Sequence, residues 1–267
     1  LTTGLTTVRK SKIELLVIEK LHMNNKEQQN IQSEKTLTEI FKYNAEAGAS
    51  EYHVMIHSTK PEDTYEEQLN AVLNTYDNLL AKELKGGVAV FKRYFLSDAA
   101  NQADTLLALT TEGSDCALSI VEQPPLDGTK IALWVYLQTD IQTQVLHNGL
   151  FEVKHGAYRH LWAGSAFNRA ANSEYQTRLL LNDYVMQLME QGCRLADHCI
   201  RTWFFVQNVD VNYAGVVKAR NEVFVTQNLT EKTHYISSTG IGGRHADPKV
   251  LVQMDTYAIA GVKPEQI

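Results

Sequence analysis

TYEEQLNAVLNTYDNLLAKELKGG, residues 64–87, reads as a whole helix with its start and stop signals. Thr64 with Glu67 fits a capping box, in which each residue satisfies a free N–H of the other. Leu69, Val72, Leu73, Tyr76 and Leu80 recur at helical spacing and form one apolar stripe. Gly86 and Gly87 end it. The passage decides the fold because it recurs. SEYQTRLLLNDYVMQLMEQG, residues 173–192, has the same organisation, with Ser173 and Gln176 read as the second capping box and Gly192 as the stop. Thr64 and Ser173 stand 109 positions apart.

The flanks repeat as well. EYHVMIHS (51–58) alternates as a strand, with Tyr52, Val54 and Ile56 on one face and His53, Met55 and His57 on the other. VAVFKRYFLSD (88–98) predicts a strand and NQADTLLAL a short helix. ALSIVEQ and TKIALWVYLQ predict strands around the turn PPLDG (124–128). From Phe151 the order returns. FEVKHGAYRHLWAGSAF gives two strands, IRTWFFVQNVD a strand, AGVVKARNEVF a helix, and HYISSTGI and VLVQMDTYAI the last two strands. Asp98 and Asn208 are 110 positions apart. A repeat of this length predicts two related α+β domains in tandem, 37–140 and 148–262, each a mixed sheet with two helices on one face.

Residues 1–36 are read as a polar N-terminal extension. The apolar run IELLVIE is too short and too charged for a signal peptide. The chain begins without Met, so the expectation is upstream sequence ahead of a start at Met23, or a fragment, with residues also missing beyond Ile267.

Composition excludes several function classes. A net charge of −6 gives no general basic footprint for nucleic acid. No apolar run reaches the ~18 residues of a membrane span. Cys116, Cys193 and Cys199 show neither CxxC nor zinc spacing, so they are read as buried reduced thiols of a cytoplasmic protein that needs no metal or cofactor.

GIGGRHADPK, residues 240–249, invites a phosphate-binding reading. It has neither P-loop nor dinucleotide-fold spacing, and Pro248 leads into a strand rather than a helix. The glycines are read as allowing positive φ in a wide connection. Arg244 and His245 are then exposed loop residues or part of a cleft wall meeting an anionic ligand. Ser238 and Thr239, on the preceding strand, either hydrogen-bond a carboxylate or satisfy neighbouring backbone. Lys218 and Arg220 sit two apart on a helix, so at most one faces a cleft. Gln253 and Asp255 share a strand face, one a candidate pocket group and the other a candidate partner across an interface. Ser165 lacks the second glycine of a nucleophile elbow. His53 and His57 are read as polar surface or interface before metal ligands.

The set of LWAGSAFN (161–168), IRTWFFVQNVDVNYAGVVKARNEVF (200–224) and YISSTGIGG…DPKVLVQMDTYAI resembles the RidA (YjgF) family, whose fold is similar to that of a chorismate mutase-like trimer. The first half resembles it in outline, through EEQLNAVLNTYDNLLA, VFKRYFLSD and SIVEQPPLDGTKIALWVYL, so the likeness covers roughly residues 50–262. The resemblance implies a homotrimer with ligand clefts between neighbouring units, and an enamine or imine deaminase acting on a small anionic metabolite. It also implies an arginine near Ser238 and Ala117 and a glutamate near Gln253 and Ala132; neither residue type stands within two positions. The asparagine usual on the second helix falls near Lys218. A weaker resemblance is to chorismatases, through STGI and Arg220, and implies hydrolysis of chorismate. A third possibility is a non-catalytic member that binds a metabolite or a protein. The candidate substrate-binding residues are thus Ser238, Thr239, Gln253, Arg220, Lys218 and Arg244, and no catalytic residue is assigned.

Overall fold

The computed structural model describes residues 16–23, 26–45, 49–110 and 116–262, with side chains from residue 26 onward. The first half runs β1 (Leu16–Met23), β2 (Lys26–Gln32), β3 (Thr36–Asn44), β4 (Ser50–Ser58), α1 (Tyr65–Lys82), β5 (Val88–Leu96), α2 (Ala99–Thr110), β6 (Ala117–Glu122) and β7 (Ile131–Gln138). The second runs β8 (Gln142–Val145), β9 (Phe151–His155), β10 (Tyr158–Phe167), α3 (Ser173–Glu190), α4 (Leu195–His198), β11 (Cys199–Val206), α5 (Val209–Thr226), β12 (Ser237–Gly242) and β13 (Val252–Ala260).

The expected α+β tandem is present. One sheet is ordered β1-β2-β3-β4-β7-β5-β6 and the other β12-β11-β13-β10-β9-β8. The order β3-β4-β7-β5-β6 in the first is matched by β9-β10-β13-β11-β12 in the second. In each, the strand after the long helix pairs in parallel with the next strand (β5 with β6, β11 with β12). The segment read as a polar extension supplies β1 and β2, an antiparallel pair added to the sheet edge; residues 1–15 lie outside the described residues.

The capping box at Thr64 forms in full. The one expected at Ser173 does not: Asn172 is the N-cap and accepts from Tyr175 N, while Ser173 is the buried first helical residue. Gln176 is unavailable for a box because its amide is used elsewhere. It donates to the carbonyls of Ala170 and Lys249 and accepts from Leu251 N and Val252 N. Gln68 does the same work in the first half, donating to Asp63 O and accepting from Lys130 N. A buried glutamine in the first turn of each long helix thus ties that helix to the entry of the last strand of its half, β7 or β13.

Each sheet buries one face under its helices. Val54, Ile56, Leu133 and Val135 pack with Leu69, Val72 and Tyr76 of α1. Phe204, Val206, Val252 and Met254 pack with Leu181, Tyr184 and Val216 of α3 and α5. The opposite faces meet each other in a third core that mixes both halves: Val90, Phe91, Tyr136, Phe151, Val153 and Trp162. The layers are therefore helix, sheet, sheet, helix, and the seam between the sheets belongs to both halves. No helix among the described residues is long and apolar enough to cross a membrane.

Candidate functional site

The centre of the seam is polar. Arg93 on β5 points at Asp255 on β13, its Nε 3.1 Å and its Nη2 2.7 Å from Oδ2. Both are buried, Asp255 completely. The guanidinium is ringed by Phe91, Trp134, Trp203 and Phe205, each centroid 5.0–5.4 Å away. Aromatic faces suit a weakly hydrated cation removed from water. Burial pushes the Asp255 carboxyl up from its ordinary value, and Arg93 pulls it back down without fully offsetting this.

Asp255 also fixes the strand beside it. Its Oδ1 accepts from Ser165 N at 2.8 Å, and Ser165 holds φ at 54°, a left-handed backbone unusual for serine. The Ser165 Oγ then accepts from Ile120 N of β6 and from Gln253 Nε2. A Cβ at Gly164 would lie 2.3 Å from the Leu118 carbonyl, so only glycine lets β6 cross β10 this closely. The sequence GSA of LWAGSAF is thus the crossing point of the two halves. Gln253 is buried there, with its Oε1 lacking a donor.

One end of the seam opens into a groove of about 400 Å³. Glu122, Gln123 and Pro124 of the first half form one wall; Val206, Asn208, Val209 and Gly242–Arg244 form the other. The walls are joined at one edge by a short antiparallel bridge: Glu122 N donates to Arg244 O and Arg244 N to Glu122 O. Gln123 Nε2 donates to Gly242 O at 2.6 Å. The Arg244 side chain is half exposed, with Nη1 3.6 Å from Glu122 Oε1. The other Glu122 oxygen accepts from Ala99 N, at the start of α2.

The residues singled out from sequence fall into three places. Arg244 lines the groove. Gln253 lies in the seam, on the same face as Asp255, and Asp255 is the partner across the interface. Thr239 also faces that side, where Arg201 donates to its Oγ1 at 3.2 Å. Ser238 faces the helices instead and accepts from the buried Thr202 at 3.0 Å. Lys218 and Arg220 are in the helix layer: Lys218 pairs with Glu174 of α3, and Arg220 reaches Asn221 and the Phe224 ring. None of these last three lines the groove, so the six do not converge on one pocket.

The three glycines of the GIGG stretch are also corrected: none has positive φ. Gly240 is glycine because the Tyr213 ring occupies the place of a Cβ, 2.4 Å away, and Gly243 because Val121 and Phe205 crowd it. A Cβ at Gly242 would meet nothing within 4 Å. Sequence reasoning missed Arg93 and Glu122, which lie unremarked within the strand stretches VAVFKRYFLSD and ALSIVEQ. The available signal was the repeat itself, which sets Arg93 against Trp203 and Glu122 against Gly242.

No known family's sequence profile matches this chain, nor does any curated protein. Among solved structures, a chorismatase superposes over 91% of this chain and 80% of its own, at 10% identity and a TM-score of 0.55. A putative translation initiation inhibitor from Salmonella typhimurium matches 45% of this chain and 96% of its own, at 17% identity and a TM-score of 0.34. A member of the YjgF/YER057c/UK114 family from Mycobacterium tuberculosis matches 40% of this chain and 82% of its own, at 19% identity and a TM-score of 0.32. The likeness to chorismatase is one of fold.

Proposed function

We propose that this chain binds a small carboxylate-bearing metabolite in the groove between its halves. One observation carries the reading: the carboxylate that the end of β6 presents to the following helix has no counterpart at the end of β12. In the first half β6 ends at Glu122, opposite Leu96, and the Glu122 carboxylate accepts from the first turn of α2. In the second half β12 ends at Gly242, opposite Val206, with no side chain to reach α5. The α5 N-cap, Asn208, makes no side-chain cap bond either. That place opens into the groove, with Arg244 on its rim. Helix N–H groups and the guanidinium fork both favour an anion, and together they select a carboxylate over a neutral group.

Imine deamination draws no support from the two family positions. Ser238 is turned to the helix layer, and the Gln253 amide cannot serve as a base. Hydrolysis of chorismate is the second reading. Two observations favour it: the chorismatase-like fold over most of the chain, and an acid, Glu122, on the groove wall.

Calorimetric titration with benzoate and with chorismate tests the first reading. Saturable binding is expected, weakened about tenfold or more in Arg244→Ala, since a hydrogen bond to a charged group contributes about 1.5–3 kcal/mol. Binding that survives this change, with the fold intact, would place the ligand elsewhere. Loss of chorismate over time would establish the second reading; its persistence, with binding retained, leaves a binding protein.

A further inference from the structure

The other end of the seam holds a different chemistry. Glu51 and His53 lie on the seam face of β4, opposite Gln138 and Tyr136 of β7. The Tyr136 hydroxyl accepts from Gln138 Nε2 at 2.7 Å and stands beside the Glu51 carboxylate. From the second half, Tyr257 bonds His160 Nδ1 through its hydroxyl at 2.8 Å. Glu51 hydrogen-bonds Tyr136, and its charge also bears, more weakly, on Tyr257, His53 and His160, so one carboxylate faces titratable groups of both halves.

The rings around it form a floor and a rim. Trp162 and Tyr136 are buried floor, their centroids 5.7 Å apart. Tyr257 stacks on Trp162 at 4.1 Å, and the exposed His53 stacks on Tyr136 at 4.8 Å. The cations of neighbouring strands are engaged elsewhere: Lys42 with Glu27, Lys154 and Arg159 with Glu152, Arg201 with Thr239. Among the described residues, no lysine or arginine neutralises Glu51. Desolvation by the neighbouring rings lowers the affinity of His53 and His160 for a proton, His53 by its stacked face although the residue is exposed as a whole.

We propose that this end of the seam is a second binding site, for a small organic ammonium ion. The Glu51 carboxylate supplies the opposite charge. The phenol oxygens of Tyr136 and Tyr257 accept ammonium N–H groups, and the faces of His53 and Tyr257 add cation–π attraction. An anion is disfavoured by Glu51. A neutral ligand would leave the carboxylate uncompensated among the rings. The site is built from different residues than the groove and does not depend on it.

The test is titration of the full chain with methylammonium chloride against sodium chloride at equal ionic strength. Tryptophan fluorescence reports it, because Trp162 and Trp134 lie in or beside the floor, and calorimetry gives the affinity. A saturable response to methylammonium alone is expected. Glu51→Gln is expected to weaken it about tenfold or more, and His53→Ala, at an exposed position, by a few-fold. Circular dichroism establishes that each variant is folded. The proposal is overturned by a response that sodium reproduces, by no saturation, or by a folded Glu51→Gln variant that binds as well as the parent.

Discussion

The two halves share a strand order, and most of the matched positions at which they differ in charge or size lie on the seam or at its rim. The pairing registers set Arg93 against Trp203, Trp134 against Asp255, Glu122 against Gly242, and Met55 against the Gly164–Ser165 bulge. Away from the seam the halves agree in kind: apolar helix stripes, a buried glutamine at each long helix, and a glycine after each. The shared positions specify a sheet with its helices. The differing ones decide how one copy meets the other. Met55 explains the single crossing: β6 reaches β10 through a gap only glycine leaves, and the equivalent place on β4 is filled by a long side chain.

The ion pair is where this comparison breaks most sharply. Arg93→Leu leaves Asp255 buried without its cation, and a loss of about 3–5 kcal/mol is expected in urea unfolding. Asp255→Leu is expected to cost a similar amount. Replacing both together restores an apolar contact of the kind the counterpart positions, Trp203 and Trp134, already provide. The double variant is therefore expected to lose much less than the sum of the singles. An additive result would mean that the pair does not act as a unit.

The glutamine clamps test the opposite claim, that the halves are alike. Either glutamine changed to Ala leaves buried backbone groups unsatisfied, at about 1–3 kcal/mol. Gln176 makes four such bonds and Gln68 two. Gln176→Ala is expected to be the costlier, measured by thermal melting of the two variants side by side.

These results mark what a single sequence can disclose. The long helices, the repeated order of elements along the chain and the tandem plan were legible because apolar spacing and turn residues are local signals; the sheet order and the edge strands β1, β2, β3 and β8 were not. The Asn172 cap was missed by one residue because Ser173 is an equally good capping type. Gln176 reads as the closing member of a capping box until the sheet entry it serves is placed beside it. Only the comparison of the repeats could have flagged Arg93 and Glu122, because their partners, Asp255 and Ala99, lie 162 and 23 positions away. Thr239 and Ser238 are adjacent, and only the sheet decides which of them faces the seam.

Gly242→Glu would make the second half like the first. Its new carboxylate would meet open space and the start of α5. A gain of about 0.5–2 kcal/mol is expected from the added cap, together with loss of carboxylate binding in the groove. Gly242→Gln, equal in size but uncharged, separates blocking from charge. If Gln abolishes binding as fully as Glu, shape rather than the missing charge defines the groove.

The smallest expected effect concerns a charge unique to the second half. Glu152 on β9 occupies the place that Lys42 holds on β3. Burial alone would raise its carboxyl, but hydrogen bonds and charge from Lys154 and Arg159 hold it below its ordinary value. A depressed folded-state value means stability that is present above the unfolded value, about 4.5, and is lost as pH falls through the folded one. Both cations are partly exposed, so solvent screening limits the contribution to within about 1 kcal/mol. Unfolding followed from pH 6 down to about 3 should therefore show the parent losing stability faster than Glu152→Gln. Parallel curves would mean that the pair contributes nothing, and that this difference between the halves, unlike those on the seam, is one the fold does not use.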